Sequence, residues 1–287
     1  MKLGTRGSAL ALVQARAVAA ALGAAGSPAA IVEITTSGDR GIAGDKARWI
    51  DTIEDALERG DIDLAVHSAK DVPAASLLRD GMALAAVLGR EDARDALVGA
   101  ASLDDLPAGA RVGTASLRRR AQLLAVRPDL DVVPLRGNVD TRLRKLAEGR
   151  CDALVLAAAG LRRLGRAAEI GTLLDPSVFV PAPGQGALAV EGRTIPAALV
   201  DDAADAALRA ERHVVEALQA TCDTPVGVHH DGDALHAFVG MPDGSAWLRD
   251  SVTTTGADAA PLLVARLESM GSRDLLARAS EMAEATP

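Results

Sequence analysis

Tyrosine is absent from the 287 residues, and Trp49, Phe179, Phe238 and Trp247 are the only aromatic side chains. Proteins that hold single-stranded nucleic acid stack its bases on aromatic platforms, so this composition disfavours that class. Cysteine is nearly as scarce. Cys151 and Cys222 cannot build a disulfide framework, which fits a reducing cytoplasm. No uninterrupted apolar stretch of roughly 20 residues occurs, so no membrane span is expected. The opening MKLGTRGSALALVQAR lacks separate basic, apolar and cleavage zones, so export is not expected either. A net charge of -8 leaves no generally basic surface for DNA or anionic lipid.

What is present is a globular balance, 49% hydrophobic and 24% charged. Short apolar runs alternate with longer amphipathic stretches, the pattern of an α/β protein whose parallel strands are joined by helical crossovers. Strands are expected at 1–5, 30–35, 62–67, 82–88, 111–114, 132–135 and 152–157, and helices from near Ser8, Asp45, Ser116, Val139 and Gly160. GREDARDAL (89–97) reads as a charged break, and Pro181, Pro183, Gly184 and Gly186 form a second. The stretch between them carries its own strand and helix signals, which suggests an inserted domain. The expected division is therefore 1–88 with 187–199, then 89–186, then 200–287. The last part reads as a long Ala-rich helix through Ala220, strands near Phe238 and Trp247, and a closing helix.

Ligands of parallel α/β sheets gather where strands end and helices begin, because free N–H groups and the positive helix terminus point there. Three such points carry polar or basic residues: Arg6 and Ser8 in GTRGSAL, Thr114 and Ser116 before Arg118 and Arg119 in VGTASLRRR, and Arg136 and Asn138 before Arg142 in LRGNVDTRL. None has the spacing of a phosphate loop or a dinucleotide fingerprint. Charge binds them together. Residues 111–150 hold ten Lys and Arg against four acids, a local +6, so the remainder carries -14. A pocket for a multiply charged anion is the reading for arginines at strand ends. Arg120, Arg127, Arg144 and Lys145 fit a solvated helix face.

His67, Ser68, Lys70 and Asp71 close another apolar strand in IDLAVHSAKDVP. A cation for substrate carboxylates beside an anion for a developing positive charge suits a catalytic strand end; an ordinary ion pair is the simpler alternative. His67 itself reads as a packed core histidine. Cys151 reads as a buried thiol, and Cys222, after AERHVVEALQA, as an accessible loop thiol. No zinc-like ligand spacing and no nucleophile elbow is found.

GTRGSALAL, DLAVHSAKDVP, REDARDAL, VGTASLRRR, LRGNVDTRL, AAAGLRRLG, PAPGQGALAVE and the Cys222 before TPVG follow one another along essentially the whole chain. In this order they resemble the porphobilinogen deaminase (hydroxymethylbilane synthase) family. The resemblance implies two periplasmic-binding-protein-like (type II) α/β domains around a cleft and a small C-terminal α+β domain that carries the cysteine. It implies a dipyrromethane cofactor joined by a thioether to Cys222, and no metal. It further implies that four porphobilinogens are condensed head to tail with loss of ammonia, and that the linear tetrapyrrole is then hydrolysed off. The catalytic aspartate would be Asp71. Cofactor carboxylates would be held by Ser68, Lys70, Thr114, Ser116, Arg118, Arg119 and Arg142. Incoming porphobilinogen would meet Arg6, Ser8, Arg136, Gln185 and the lid lysine Lys46. A monomer without nucleic-acid or membrane partners is expected.

The chain departs from the family pattern in several places. The lid around 38–46 is short and has no clear counterpart of a second lid lysine; Trp49 stands where phenylalanine is usual; Ala115 replaces a serine; Ala220 and Thr221 replace glycines before the cysteine. A competing reading is a non-enzymatic module of the same two-domain type that binds a small polycarboxylate, which would need neither Asp71 nor Cys222.

Overall fold

The computed structural model describes residues 1–36, 50–73, 78–221, 224–253 and 258–285. Cys222, Lys46, Trp49, the lid segment and the expected helix start at Asp45 lie outside the described residues. The chain builds three sheets. The first contains β1 (Lys2–Arg6), β2 (Ala30–Ile34), β3 (Leu64–Ser68), β4 (Ala83–Val87) and β10 (Leu188–Gly192), in the order β2-β1-β3-β10-β4. The second contains β5 (Asp95–Val98), β6 (Arg111–Gly113), β7 (Asp131–Val133), β8 (Ala153–Ala157) and β9 (Ile170–Leu173), in the order β7-β6-β8-β5-β9.

One pattern serves both sheets. The parallel strands are joined through helical crossovers, and one antiparallel strand is inserted beside the third of them. In each sheet that strand, β10 or β5, comes from the segment that has just crossed from the other sheet. The strand ends of two matching lobes thus meet at one cleft, the type II periplasmic-binding-protein-like arrangement. The third sheet is an antiparallel meander of β11 (Val226–His230), β12 (Ala234–Gly240) and β13 (Trp247–Thr253).

Interior parallel strands are covered on both faces and so read as continuous apolar runs; LAVHS of β3 and ALVLA of β8 are buried almost throughout. Helix α1 (Ala9–Ala24) lays Ala15, Val18 and Leu22 on Leu3, Leu64, Val66 and Val190 of the first sheet. Helix α3 (Leu117–Val126) puts Leu123 against Val112, Val132 and Val155 of the second. Helix α6 (Asp202–Ala217) packs Val214 and Val215 on the third sheet together with α7 (Ala259–Ser269) and α8 (Ser272–Ala285). Burying one such Leu or Val stabilises the fold by roughly 1.5–3 kcal/mol before the entropy of ordering is counted.

Three sequence expectations are corrected. GREDARDAL is not a break throughout: its end, Asp95–Val98, is the fully buried strand β5. The charge that disguised it, Asp95, is neutralised inside the protein. The closing helix is two helices, α7 and α8, because Gly271 between them takes φ +93°, a conformation no helix interior allows. Arg120 does not lie on a solvated face, and Arg127, which makes a surface ion pair with Asp129, also reaches inward. Arg120 donates to the carbonyls of Pro242 (3.1 Å) and Val132 (2.6 Å), which clips α3 to the third sheet's β12–β13 turn. Arg127 donates to the carbonyls of Leu103 and Leu106. Among the described residues no helix is long and apolar enough to cross a membrane.

Candidate active site

Each of the three polar strand ends opens a helix whose first N–H groups are capped by a side chain. Ser8 Oγ accepts from Ala11 N (3.3 Å) at α1, and Ser116 Oγ accepts from Arg119 N (3.4 Å) at α3. Asn138 Oδ1 accepts from Thr141 N (2.9 Å) at α4 (Val139–Ala147). The capping side chain satisfies one free donor and leaves the others for an anion. Thr114 is buried, and its Oγ1 accepts from Ser116 N at 3.2 Å.

On the side of the first sheet, a cavity is lined by polar residues Arg6, Ser8, Gln14, His67, Ser68 and Asp71 together with apolar Leu10, Ala11, Ile50 and Val66. Ser68 is held there by Gln14, whose Nε2 donates to Ser68 Oγ at 2.9 Å. Gln14 is buried, and sequence reasoning missed it. Its signal is a lone polar residue on the otherwise apolar face of α1. The turn Ala69–Asp71, a single turn of 3-10 helix, projects Lys70 and Asp71 beyond the end of β3.

On the other side, one buried carboxylate organises two arginines. Arg118 Nη1 donates to Asp95 Oδ2 (2.8 Å), and Arg119 donates to Asp95 Oδ1 from Nη2 (2.8 Å) and Nε (3.1 Å). Burial alone would raise the Asp95 pKa, but the two guanidiniums override it and hold the carboxyl well below the usual carboxylate range. Both arginines are themselves buried, and two cations on one anion leave a positive remainder at the strand end. Asp95 is the second site residue outside the sequence expectation, because it sits in a segment that reads as a charged break.

Gln185 joins the two sides. Its Oε1 accepts from Lys70 Nζ (3.5 Å) and from Arg119 Nη2 (3.4 Å), and its Nε2 donates to Asp95 Oδ1 (2.8 Å) and to the carbonyl of Ala93 (2.6 Å). Arg142, on α4, faces the same space. Its Nε is buried with no hydrogen-bond partner among the described residues. Burial and the neighbouring Arg119 lower its pKa to about 10, and the negative Asp71 opposes them. The charge of Asp71, on the turn after β3, therefore reaches Arg142 on α4 of the other lobe. Arg136 lies exposed on the turn before α4, and its carbonyl accepts from Lys145 Nζ at 3.0 Å.

A third residue outside the sequence prediction, Arg163 of α5 (Ala158–Arg163), donates from Nη2 to the carbonyl of Gly186 at 2.6 Å and is depressed in pKa by burial. Thr221 and Thr224, on either side of the thiol-bearing segment, grip each other: Thr221 N donates to Thr224 Oγ1 (2.9 Å), which donates to Thr221 O (2.7 Å). Among the described residues no group of His, Cys, Asp and Glu could hold a metal ion.

A half-buried guanidinium with an unpartnered Nε, beside an over-neutralised Asp95, is chemistry for an anion with several carboxylates. Residues 1–201 match the family described as porphobilinogen deaminase, dipyrromethane cofactor binding domain. A porphobilinogen deaminase of Roseiflexus sp. (strain RS-1) is 49% identical over 263 residues, 84% of this chain and 86% of its own. That of Roseiflexus castenholzii is 45% identical over 300 residues, 96% of this chain and 98% of its own. Among solved structures, a nutrient binding protein from Burkholderia cenocepacia bound to methionine overlaps 67% of this chain and 84% of its own, with 15% identity and a TM-score of 0.42. On the family match and these relatives, the chain belongs to the porphobilinogen deaminase family.

Proposed function

We propose that the chain is a hydroxymethylbilane synthase, a transferase of tetrapyrrole synthesis. It joins four porphobilinogens head to tail, releases ammonia at each addition and frees the linear tetrapyrrole by hydrolysis. The observation that carries this reading is the buried Arg142 Nε, next to Arg119 and left for an acceptor that the described chain does not supply. Each porphobilinogen brings an acetate and a propionate, so the occupant is a polyanion, and a cleft with this charge pattern suits it.

The family's dipyrromethane is attached in this reading through a thioether to Cys222, and when bound it supplies the pyrrole carbon at which the chain is extended. Ser68, Lys70, Thr114, Ser116 and Arg142 hold its carboxylates. Arg118 and Arg119, already shared with Asp95, act more through their positive potential than through free donors. Arg6, Ser8, Arg136, Gln185 and Lys46 receive the incoming substrate. As the substrate's ammonium group departs as ammonia, its ring is left with a positive charge. The carboxylate of Asp71 stabilises that charge where water is partly excluded and accepts from the pyrrole N–H.

The division into 1–88 with 187–199, 89–186 and 200–287 is proposed as well, supported by the three sheets and by the return of β10 to the first. A cytoplasmic monomer that engages neither nucleic acid nor membrane fits the two cysteines and the net charge of -8. The test is the intact mass of protein made in a haem-competent host. Wild type is expected to carry an adduct of two porphobilinogen-derived units, and Cys222→Ser none. An unmodified wild-type mass, together with binding of polycarboxylates without turnover, would replace the enzyme with a binding module.

A further inference from the structure

The face of the first sheet turned toward α6 is made of small side chains. Ala69, Ala86, Ala187 and Ala189 pack against Ala204 and Leu208, an arrangement that brings the helix close. Charged groups sit nearby. Glu191 of β10 is fully buried, its Oε2 lies 3.1 Å from His67 Nε2, and its Oε1 has no hydrogen-bond partner among the described residues. Glu54, on α2 (Asp51–Glu58), is buried, and its pKa is raised by burial and by the charge of Glu191. Arg212 comes from α6. Burial lowers its pKa, and Glu216 and Glu191 oppose the shift.

Arg212 makes one hydrogen bond among the described residues: Nη1 donates to the carbonyl of Val72 at 3.2 Å, while its buried Nη2 has no partner. As a stabilising device this is poor, because withdrawing a guanidinium from water costs more than one neutral carbonyl returns. The location gives it a purpose. Val72 follows Asp71 directly, and Val72 N closes the Ala69–Asp71 turn by donating to Ala69 O at 3.2 Å. The same helix that carries Arg212 leads to Ala220 and Thr221, the two residues before Cys222.

We propose that Arg212 is a positioning residue: by holding the Val72 carbonyl it fixes the Lys70–Asp71 turn relative to the helix that leads to the cysteine. Glu216 and Glu191 provide its counter-charge. The proposal rests on the reading of Asp71 and Cys222 given above. One helix then fixes the turn whose carboxylate meets the growing positive charge.

The experiment compares wild type, Arg212→Gln, Arg212→Lys and Asp71→Asn, each scored per molecule that carries the two-unit adduct by intact mass. Arg212→Gln is expected to load, to lose about a hundredfold in kcat as the carboxylate drifts from its place, and to keep KM within a factor of about three. Hydrogen exchange of the Val72 amide should accelerate at least about tenfold, reporting the freed turn without reference to turnover. Arg212→Lys keeps the charge but not the planar fork, and should lose about tenfold in kcat with KM unchanged; it decides the matter if Arg212→Gln does not fold. Wild-type kcat in either variant, or unchanged Val72 exchange in a loaded variant, overturns the proposal. If Asp71→Asn is inactive while the Arg212 variants are normal, this inference alone fails. If Asp71→Asn turns over normally, the reading of the site fails and this proposal goes with it.

Discussion

Asp95 shows how much one side chain can organise. It is fully buried, and its two oxygens take three hydrogen bonds from the guanidiniums of Arg118 and Arg119 and one from Gln185. Asp95→Asn would leave two buried guanidiniums without their anion, so a loss of about 3–5 kcal/mol in unfolding free energy is expected, measured by urea denaturation at neutral pH. The pH dependence has a definite sign. Because the folded pKa lies below the ordinary 3.8, the stabilisation is present above that ordinary value and is lost as pH falls through the folded one. Wild-type stability should therefore decline below about pH 4 more steeply than that of Asp95→Asn; parallel curves would remove Asp95 from that role. Asp71 invites a different measurement. Asp71→Asn keeps the shape and removes the negative charge, and turnover should fall by about 10²–10³ while the adduct mass remains. A loss of both would point to folding instead of chemistry. Asp71 was legible in the sequence because it ends a recognisable apolar strand. Asp95 was not, because an acid that heads a buried strand inside a run of charges looks like surface.

The elements that sequence patterning disclosed are those whose burial is symmetric. Strands β1, β3 and β8 read as apolar runs, and the polar residues at 8, 116 and 138 announced helix starts that the capping hydrogen bonds now occupy. The antiparallel strands β5 and β10 were harder, since their place depends on which sheet the chain has just left, a fact of tertiary assembly. Strand β11 was hidden by its two histidines. The crossing segments themselves are tightly constrained. Glu91 N donates to Gly186 O at 3.2 Å, and a Cβ on Gly186, whose φ is +89°, would lie 2.2 Å from Glu91 O. Gly186→Ala therefore meets both a steric clash and an unfavourable backbone region. It should destabilise the fold by more than about 1 kcal/mol and lower turnover by shifting the adjacent Gln185. Thermal melts followed by circular dichroism, beside kcat, test this; an unchanged Tm would show that the crossings can separate.

At the scale of the whole molecule, the acidic total of -8 conceals a basic cleft, and one of the buried acids ties the third sheet to both crossing segments. Glu211 on α6 is fully buried. Its Oε1 accepts from Arg90 Nη1 (2.6 Å) and His230 N (2.7 Å), and its Oε2 from Gly184 N (2.6 Å) and Arg90 Nη2 (3.2 Å). Arg90 lies on the outward crossing and also donates from Nε to Gln185 O at 2.9 Å; Gly184 lies on the return crossing, and His230 ends β11. Burial would raise the Glu211 pKa, but Arg90 and His229 reverse the effect and keep it lowered, so it stays ionised at neutral pH. Glu211→Gln keeps the volume and removes the charge, leaving Arg90 without its anion. Stability should fall by about 3–5 kcal/mol. Because the bond it weakens lies between the sheets and not within one, calorimetric unfolding should broaden or split as the third sheet and its helices separate from the two lobes. A single transition of wild-type midpoint and width would mean that the other links, the apolar packing of α6 and the bond from Arg120 to Pro242 O among them, keep the sheets together.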